Sequence, residues 1–208
     1  RLASRSLSLV RFAADAMFQV CRNVLSTDLC WSTYGHALTT QARRAGKRVT
    51  TLKLRDRILY QSWTTTEVVN YVAAAYEQLQ CDGLFLPAVD QFGICLPIRQ
   101  IVDHIGDDSK IKFCLIDAAQ AFCHVPIHDA LAVADFVVAG SHKWMGAYLP
   151  TGIGMFGKHG TRDWLQCQLR ELLHTGFVDD PLLSFTEQLK IGRLDRHDET
   201  VNLTPLFA

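Results

Sequence analysis

The chain lacks an excess of either charge: 21 Lys and Arg stand against 21 Asp and Glu, and 49% of its 208 residues are hydrophobic. That balance describes a globular chain able to bury one sizeable core. It lacks any apolar run near the roughly 18 residues that cross a bilayer, and no secretory-signal pattern is read at its start. A cytoplasmic protein without a membrane partner is therefore expected. It also lacks a Cys-x-x-Cys pair. Its seven cysteines are an odd, scattered set, which argues against a complete disulfide framework and for reduced, mostly buried thiols. Cys123-His124 is tempting as a metal or nucleophile pair, but no metal site is expected.

The charge is uneven along the chain. Residues 1–57 carry eleven Lys and Arg against three acids. A nucleic-acid surface is one reading of that bias. The densest part, Arg43-Arg44-Ala-Gly-Lys-Arg48, falls at a predicted helix end, where cations complement the helix dipole, and no nucleic-acid partner is expected.

Hydrophobic periodicity alternates strands with helices and predicts an α/β layer with a largely parallel sheet. Helices are predicted over Ser6–Val20, Thr33–Ala45, Thr65–Leu79, Ile98–His104 and Thr161–His174. Thr64-Thr-Thr-Glu67 is a capping-box signature for the third, and Pro97 opens the fourth. Strands are predicted over Asn23–Thr27, Arg48–Leu54, Gly83–Val89, Lys112–Asp117, Phe136–Ala139 and Gly152–Phe156. Trp31, Asp90, Gln91, Asp117, Gln120 and Lys143 then all follow strand carboxyl ends, the edge where open α/β sheets bind ligands.

Two of those ends carry chemistry. Cys114-Leu-Ile-Asp117-Ala-Ala-Gln120 ends one apolar strand in an acid and an amide, and Phe136-Val-Val-Ala-Gly-Ser141-His142-Lys143 ends the next in an amine. An acid, an amide and a lysine on neighbouring strand ends are the set that holds pyridoxal phosphate. The free amine of Lys143 can form a Schiff base with the cofactor aldehyde. Asp117 can pair with a protonated pyridine nitrogen and keep the ring an electron sink. Gln120 can donate to the phenolic oxygen, and Ser141 and His142 supply donors for phosphate.

Asp117-Ala-Ala-Gln120-Ala, then Ala134-Asp135 through Lys143-Trp144, then Pro150-Thr-Gly-Ile-Gly154, resemble in order and spacing the core of the class V aminotransferase and cysteine desulfurase group of fold-type I pyridoxal-phosphate enzymes. The resemblance implies a three-layer sandwich around a largely parallel, mixed sheet. It places Ser4-Arg5-Ser6 at the phosphate turn, with Ser4 and Arg5 as phosphate contacts. Glu199-Thr200-Val-Asn202 falls where the family has a Gly-Thr-x-Asn segment, and Thr200 would contact the phosphate held by a neighbouring subunit. A homodimer is implied. Trp31 falls where an aromatic ring or histidine stacks on the pyridine, the alternative being a buried core tryptophan. Asp90-Gln91 falls where relatives have a small polar pair, commonly with Asn, near ring and substrate. A turn residue capping the next segment is the other reading. Relatives often have serine two places before the histidine, where this chain has Gly140 followed by Ser141.

The expected function is therefore that of a pyridoxal-phosphate enzyme acting on an amino acid through Lys143. Transaminase, cysteine desulfurase or lyase, and epimerase chemistry all remain open. The resemblance further leads us to expect a cofactor-binding large domain over 1–208, truncated at both ends and without the family's small carboxy-terminal domain. An inactive interaction module of the same fold is the alternative.

Overall fold

The computed structural model describes residues 1–106, 110–176, 179–193 and 200–206. One seven-stranded sheet runs through it in the order β1-β7-β6-β5-β4-β2-β3, with β1 Leu2–Ala3, β2 Asn23–Thr27, β3 Arg48–Leu52, β4 Gly83–Pro87, β5 Phe113–Asp117, β6 Phe136–Gly140 and β7 Gly152–Phe156. Strands β3, β2, β4, β5 and β6 are mutually parallel, while β7 runs antiparallel to both β6 and β1. The carboxyl ends of β1 to β6 and the amino end of β7 therefore share one edge.

The central strands are buried on both faces, so they read as continuous apolar runs. Successive side chains still alternate between two cores. Leu84, Leu86, Cys114, Ile116 and Val137 pack into one, whereas Phe85, Phe113, Leu115, Phe136 and Val138 pack into the other. Helices α4 Thr65–Gln78, α5 Ile98–Ile105 and α6 His128–Val133 contribute to the first core. Helices α1 Ser6–Val20, α2 Ser32–Arg44, α7 His159–His174 and α8 Pro181–Lys190 contribute to the second. The sheet lies between two helical layers, as the resemblance implied. In the second core Phe12 meets Phe136 edge-on at 5.6 Å, a favoured aromatic geometry.

Local signals account for several boundaries. Thr64 and Glu67 close a reciprocal capping box at α4, with Glu67 N–H donating to Thr64 Oγ1 at 3.3 Å and Thr64 N–H to Glu67 Oε2 at 2.7 Å. Arg43 and Arg44 occupy the last turn of α2, where their charge complements the carbonyl end of the helix. The strand predicted to reach Leu54 stops at Leu52, because Asp28 Oδ1 accepts from the Leu54 and Arg55 N–H groups and starts α3, Arg55–Gln61. The strand predicted to reach Val89 stops at Pro87, and Val89 bridges Cys95 instead.

The cysteines depart from expectation. All seven are free, but Cys21, Cys81 and Cys114 are buried, Cys30 is half-buried, and Cys95, Cys123 and Cys167 are exposed. Burial pushes the Cys30 and Cys81 thiols up to about 11, so these two are held as thiols rather than thiolates. Among the described residues no helix is long and apolar enough to cross a membrane.

Candidate active site

Loops leaving the shared edge of the sheet enclose a cavity of about 620 Å³. The β1–α1 turn contributes Arg5 and Ser6, and the segment after β2 contributes Leu29, Trp31, Thr33 and Tyr34. Pro87, Val89, Asp90 and Gln91 come from β4 and its loop, Asp117 and Gln120 from β5, and His142 and Lys143 from β6. Pro150 and Thr151, just before β7, complete this part of the wall. Eight of the residues named from sequence thus meet in one cavity: Arg5, Trp31, Asp90, Gln91, Asp117, Gln120, His142 and Lys143. A separate cavity of about 510 Å³ between α1 and α2 contains none of them.

Asp117 is the last residue of β5, in register with Pro87 of β4, and only 6% exposed. Its Oδ1 accepts from Ala119 N–H at 2.9 Å. Burial raises its carboxyl to about 6, against the opposing pull of that hydrogen bond and of the Lys143 charge. An acid so desolvated is poised to ionise beside a cation brought into the cavity. Burial, followed by the charge of Asp117, also pushes the Tyr34 phenol up to about 12. Lys143 is an exposed amine in the turn after β6, and Gln120 is half-buried.

The opposite side of the cavity suits an anion. Gly152 has backbone on top of it: a Cβ there would lie 2.6 Å from Arg5 C and from Ser6 N. The start of β7 therefore presses directly against the first turn of α1, whose N-cap, Arg5, makes no side-chain capping bond. First-turn N–H groups have no partner within a helix, and they attract negative charge. Thr151 Oγ1 is buried beside them without a hydrogen-bond partner. His142 folds over Gly140, where an added Cβ would meet the imidazole at 3.2 Å and Ser6 Oγ at 3.4 Å. A side chain at 140 would require the exposed imidazole to shift by a few tenths of an ångström.

Three residues named from sequence lie elsewhere. Ser4 donates through N–H and Oγ to Asp180 at 3.0 and 3.1 Å, tying β1 to the start of α8 rather than facing the cavity. Ser141 is buried, its Oγ accepting from Thr151 N–H at 3.0 Å and donating to the Leu149 carbonyl at 3.4 Å, so it braces the turn that presents Thr151. Thr200 is exposed and does not line the cavity, and its neighbour Glu199 lies outside the described residues. Trp31 is 48% exposed, edge-on to Tyr34 with ring centroids 4.9 Å apart, so it is no core tryptophan. Asp90 shapes its turn through Oδ1, which accepts from Phe92 and Ile94 N–H at 2.8 and 2.9 Å, while also lining the cavity.

Ser6, Tyr34 and Thr151 are wall residues not nominated from sequence. Ser6 and Thr151 lie within quoted motifs, whereas Tyr34 had no signal beyond its proximity to Trp31. Cys123 is exposed at φ 62°, and His124 stacks on Trp144 at 4.1 Å. His124 and His128 are four residues apart, but no group of three or more metal-binding side chains forms among the described residues.

The aminotransferase class-V family model matches residues 84–183, the stretch that carries Asp90, Asp117, Gln120, Lys143 and Thr151. This stretch is similar to the class V aminotransferases. No curated protein matches the chain in sequence. Among solved structures, ureidoglycine–glyoxylate aminotransferase from Bacillus subtilis superposes with a TM-score of 0.66 at 14% identity, covering 99% of this chain and 49% of that one. A cysteine desulfurase from Escherichia coli gives 0.57 at 14% identity, covering 76% and 38%. A cystine C-S lyase variant with glycine covalently linked to its pyridoxal-phosphate cofactor gives 0.58 at 14% identity, covering 78% and 42%. The fold is that of the fold-type I pyridoxal-phosphate transferases, and the chain spans about half the length of the B. subtilis enzyme.

Proposed function

We propose that the cavity binds pyridoxal phosphate and, as part of a class V enzyme, processes the amino group of an amino acid or related amine. The observation that carries this is Asp117: a carboxyl raised to about 6 by burial, on the strand next to the one that delivers Lys143. The residues present fit the group. The first turn of α1, without a side-chain cap, the tight Gly152 approach and Thr151 Oγ1, unpartnered among the described residues, would form a cradle for phosphate, which Arg5 and His142 supplement with donors. Asp117 would meet the pyridine nitrogen, Gln120 the phenolic oxygen and Trp31 the ring face. Gln91 and Asp90 would meet ring or substrate.

Pyridoxal phosphate supplies an electron sink for a carbanion at the substrate α-carbon. The protein's task is then proton traffic and orientation. Lys143 is the one amine lining the cavity among the described residues, and it would attach the cofactor and later take and return the α-proton. Ionised Asp117 would hold the ring nitrogen protonated. Transamination, sulfur removal, lyase and epimerase outcomes share these roles and differ in groups that hold the substrate.

The exposed side chains of Trp144, Met145 and Tyr148 follow Lys143 directly, and a homodimer whose second subunit covers them and contributes Thr200 fits this reading. Seven free thiols suit the reducing cytoplasm. The same exposed aromatic stretch also favours a second reading, an inactive interaction module of this fold.

The test is to add pyridoxal phosphate, reduce with borohydride and map the modified peptide by mass spectrometry, with Lys143→Ala in parallel. A label on Lys143 that disappears in the variant supports the cofactor site. A folded protein that takes no label refutes it and favours the interaction module.

A further inference from the structure

Asp90 leads beyond that reading, and rests on it. The residue is 3% exposed, and the turn it stabilises uses only Oδ1. Its Oδ2 is buried, has no hydrogen-bond partner among the described residues, and belongs to a side chain lining the cavity. An asparagine would serve the turn equally well with its one carbonyl oxygen. The carboxylate leaves a second oxygen without a donor, and an unpaired buried polar group is costly.

The surroundings identify what would satisfy it. Arg55 approaches the same turn, its guanidinium over the Phe92 ring at 5.2 Å and donating to the Asp28 carbonyl; its Nε also lacks a partner among the described residues, yet no hydrogen bond or ion pair joins it to Asp90. Strand order separates the cavity's cations from Asp90: Arg5 follows β1 and Lys143 follows β6, whereas Asp90 follows β4. With neighbouring strands about 4.8 Å apart, β6 lies roughly 10 Å from β4. On the far side of Asp90, after β2, come the aromatic rings of Trp31 and Tyr34, whose faces attract cations. The cavity is thus polarised, cationic and anion-seeking toward β1, acidic and aromatic toward β2.

We propose that Asp90 determines substrate specificity by accepting, through Oδ2, a positively charged N–H donor on the substrate: a second amino, amidine or guanidinium group beyond the one that reacts. A substrate carboxylate in that position would face a buried acid and be rejected. The cavity therefore selects cationic amines over amines that carry a negative charge at the same end.

The test uses putrescine, butylamine and γ-aminobutyrate as probes, titrated calorimetrically into the wild type and Asp90→Asn, each with pyridoxal phosphate whose attachment to Lys143 has been verified. Charge-assisted hydrogen bonds lead us to expect wild type to bind putrescine roughly tenfold or more tighter than butylamine, with γ-aminobutyrate weakest. Asp90→Asn keeps the turn acceptor, so it should fold normally and lose that preference. An identical ranking in both proteins, or a wild-type preference for γ-aminobutyrate, overturns the proposal. So does an Asp90→Asn effect confined to pyridoxal-phosphate affinity, which would assign Oδ2 to the cofactor. If Lys143 takes no label, the cofactor reading fails by itself. Putrescine is then titrated into the unlabelled protein, where a loss of binding in Asp90→Asn supports the acidic subsite and equal affinities overturn it.

Discussion

Replacing Asp117 by Asn should make the protein without cofactor more stable and its cofactor binding weaker, and the gain should depend on pH in a defined direction. Burial lifts the Asp117 carboxyl from its ordinary 3.8 to about 6, so the folded chain holds this proton more tightly than the unfolded chain does. The stabilisation conferred by the proton is complete below about pH 4 and is lost as pH rises through about 6, after which the curve is flat. The displacement corresponds to roughly 3 kcal/mol. Asparagine keeps an acceptor for the Ala119 N–H and never ionises, so it avoids this loss. The stability of Asp117→Asn relative to wild type should therefore rise by roughly 3 kcal/mol between pH 4 and pH 8, equivalent to about 6–12 °C in Tm for a chain of this size. Urea denaturation of both proteins at pH 4, 5, 6, 7 and 8, without added cofactor, measures the difference. Other carboxylates titrate in both and cancel. A gap that stays constant, or that turns against asparagine as pH rises, would refute the burial argument. Repeating the series with pyridoxal phosphate gives the converse: the wild type should gain more than the variant, because only the carboxylate can pair with a protonated ring nitrogen.

Three further substitutions probe the frame around the site. Gly152→Ala drives a Cβ to 2.6 Å from the Arg5–Ser6 backbone, so it should destabilise by roughly 1–3 kcal/mol in denaturant titration and weaken pyridoxal-phosphate binding by displacing the phosphate turn. Asp180→Ala removes the acceptor for Ser4 N–H, Ser4 Oγ and Leu183 N–H at a position 4% exposed, and thermal melting should show a loss of about 2–3 kcal/mol. Thr64→Ala breaks the α4 capping box on the far side of the fold, so it should cost about 1 kcal/mol by the same assay and leave cofactor affinity unchanged.

What the sequence disclosed follows the range of each signal. The strands β2, β4, β5, β6 and β7 were legible because apolar runs bounded by polar or turn residues are local, and α1 and α4 because periodicity and a capping box are local. Helix α3 was not, since its start is fixed by Asp28, 26 and 27 residues away from the N–H groups it caps. Helix α6 has six residues, too few to show a period. Helix α8 was more readable than it was read: Asp180-Pro181 supplies both an N-cap, accepting from Leu183 N–H, and a proline at the first turn. At the site, Asp117, Gln120 and Lys143 were recoverable because each lies at, or three residues beyond, the end of a recognisable strand. The placement of Ser4 was not, because Asp180, which turns it toward α8, is 176 residues away. The same holds for Thr151, whose neighbour in space is the first turn of α1.

Both buried acids in the cavity oppose the folding of the empty protein. Asp117 does so by desolvation, and Asp90 by an oxygen without a partner among the described residues. A fold under selection for stability alone would have asparagine, or an apolar side chain, at each. Their cost becomes reasonable if each is reversed by an occupant: a cationic ring at Asp117 and a cationic substrate group at Asp90. Linkage makes this quantitative, because a ligand at a hundred times its Kd stabilises the folded state by about 2.7 kcal/mol. That is the size of the penalty at Asp117, so on the proposed reading saturating cofactor would offset what this acid costs the empty fold. The strand order makes the arrangement possible: the antiparallel pairings of β7 with β6 and β1 bring the first turn of α1, Arg5 and Lys143 to one side of the edge, while the parallel strands beyond them carry Asp117 and Asp90. Polarity across the cavity is therefore a property of topology as well as of residue choice, and it fixes the direction in which a dipolar ligand must enter.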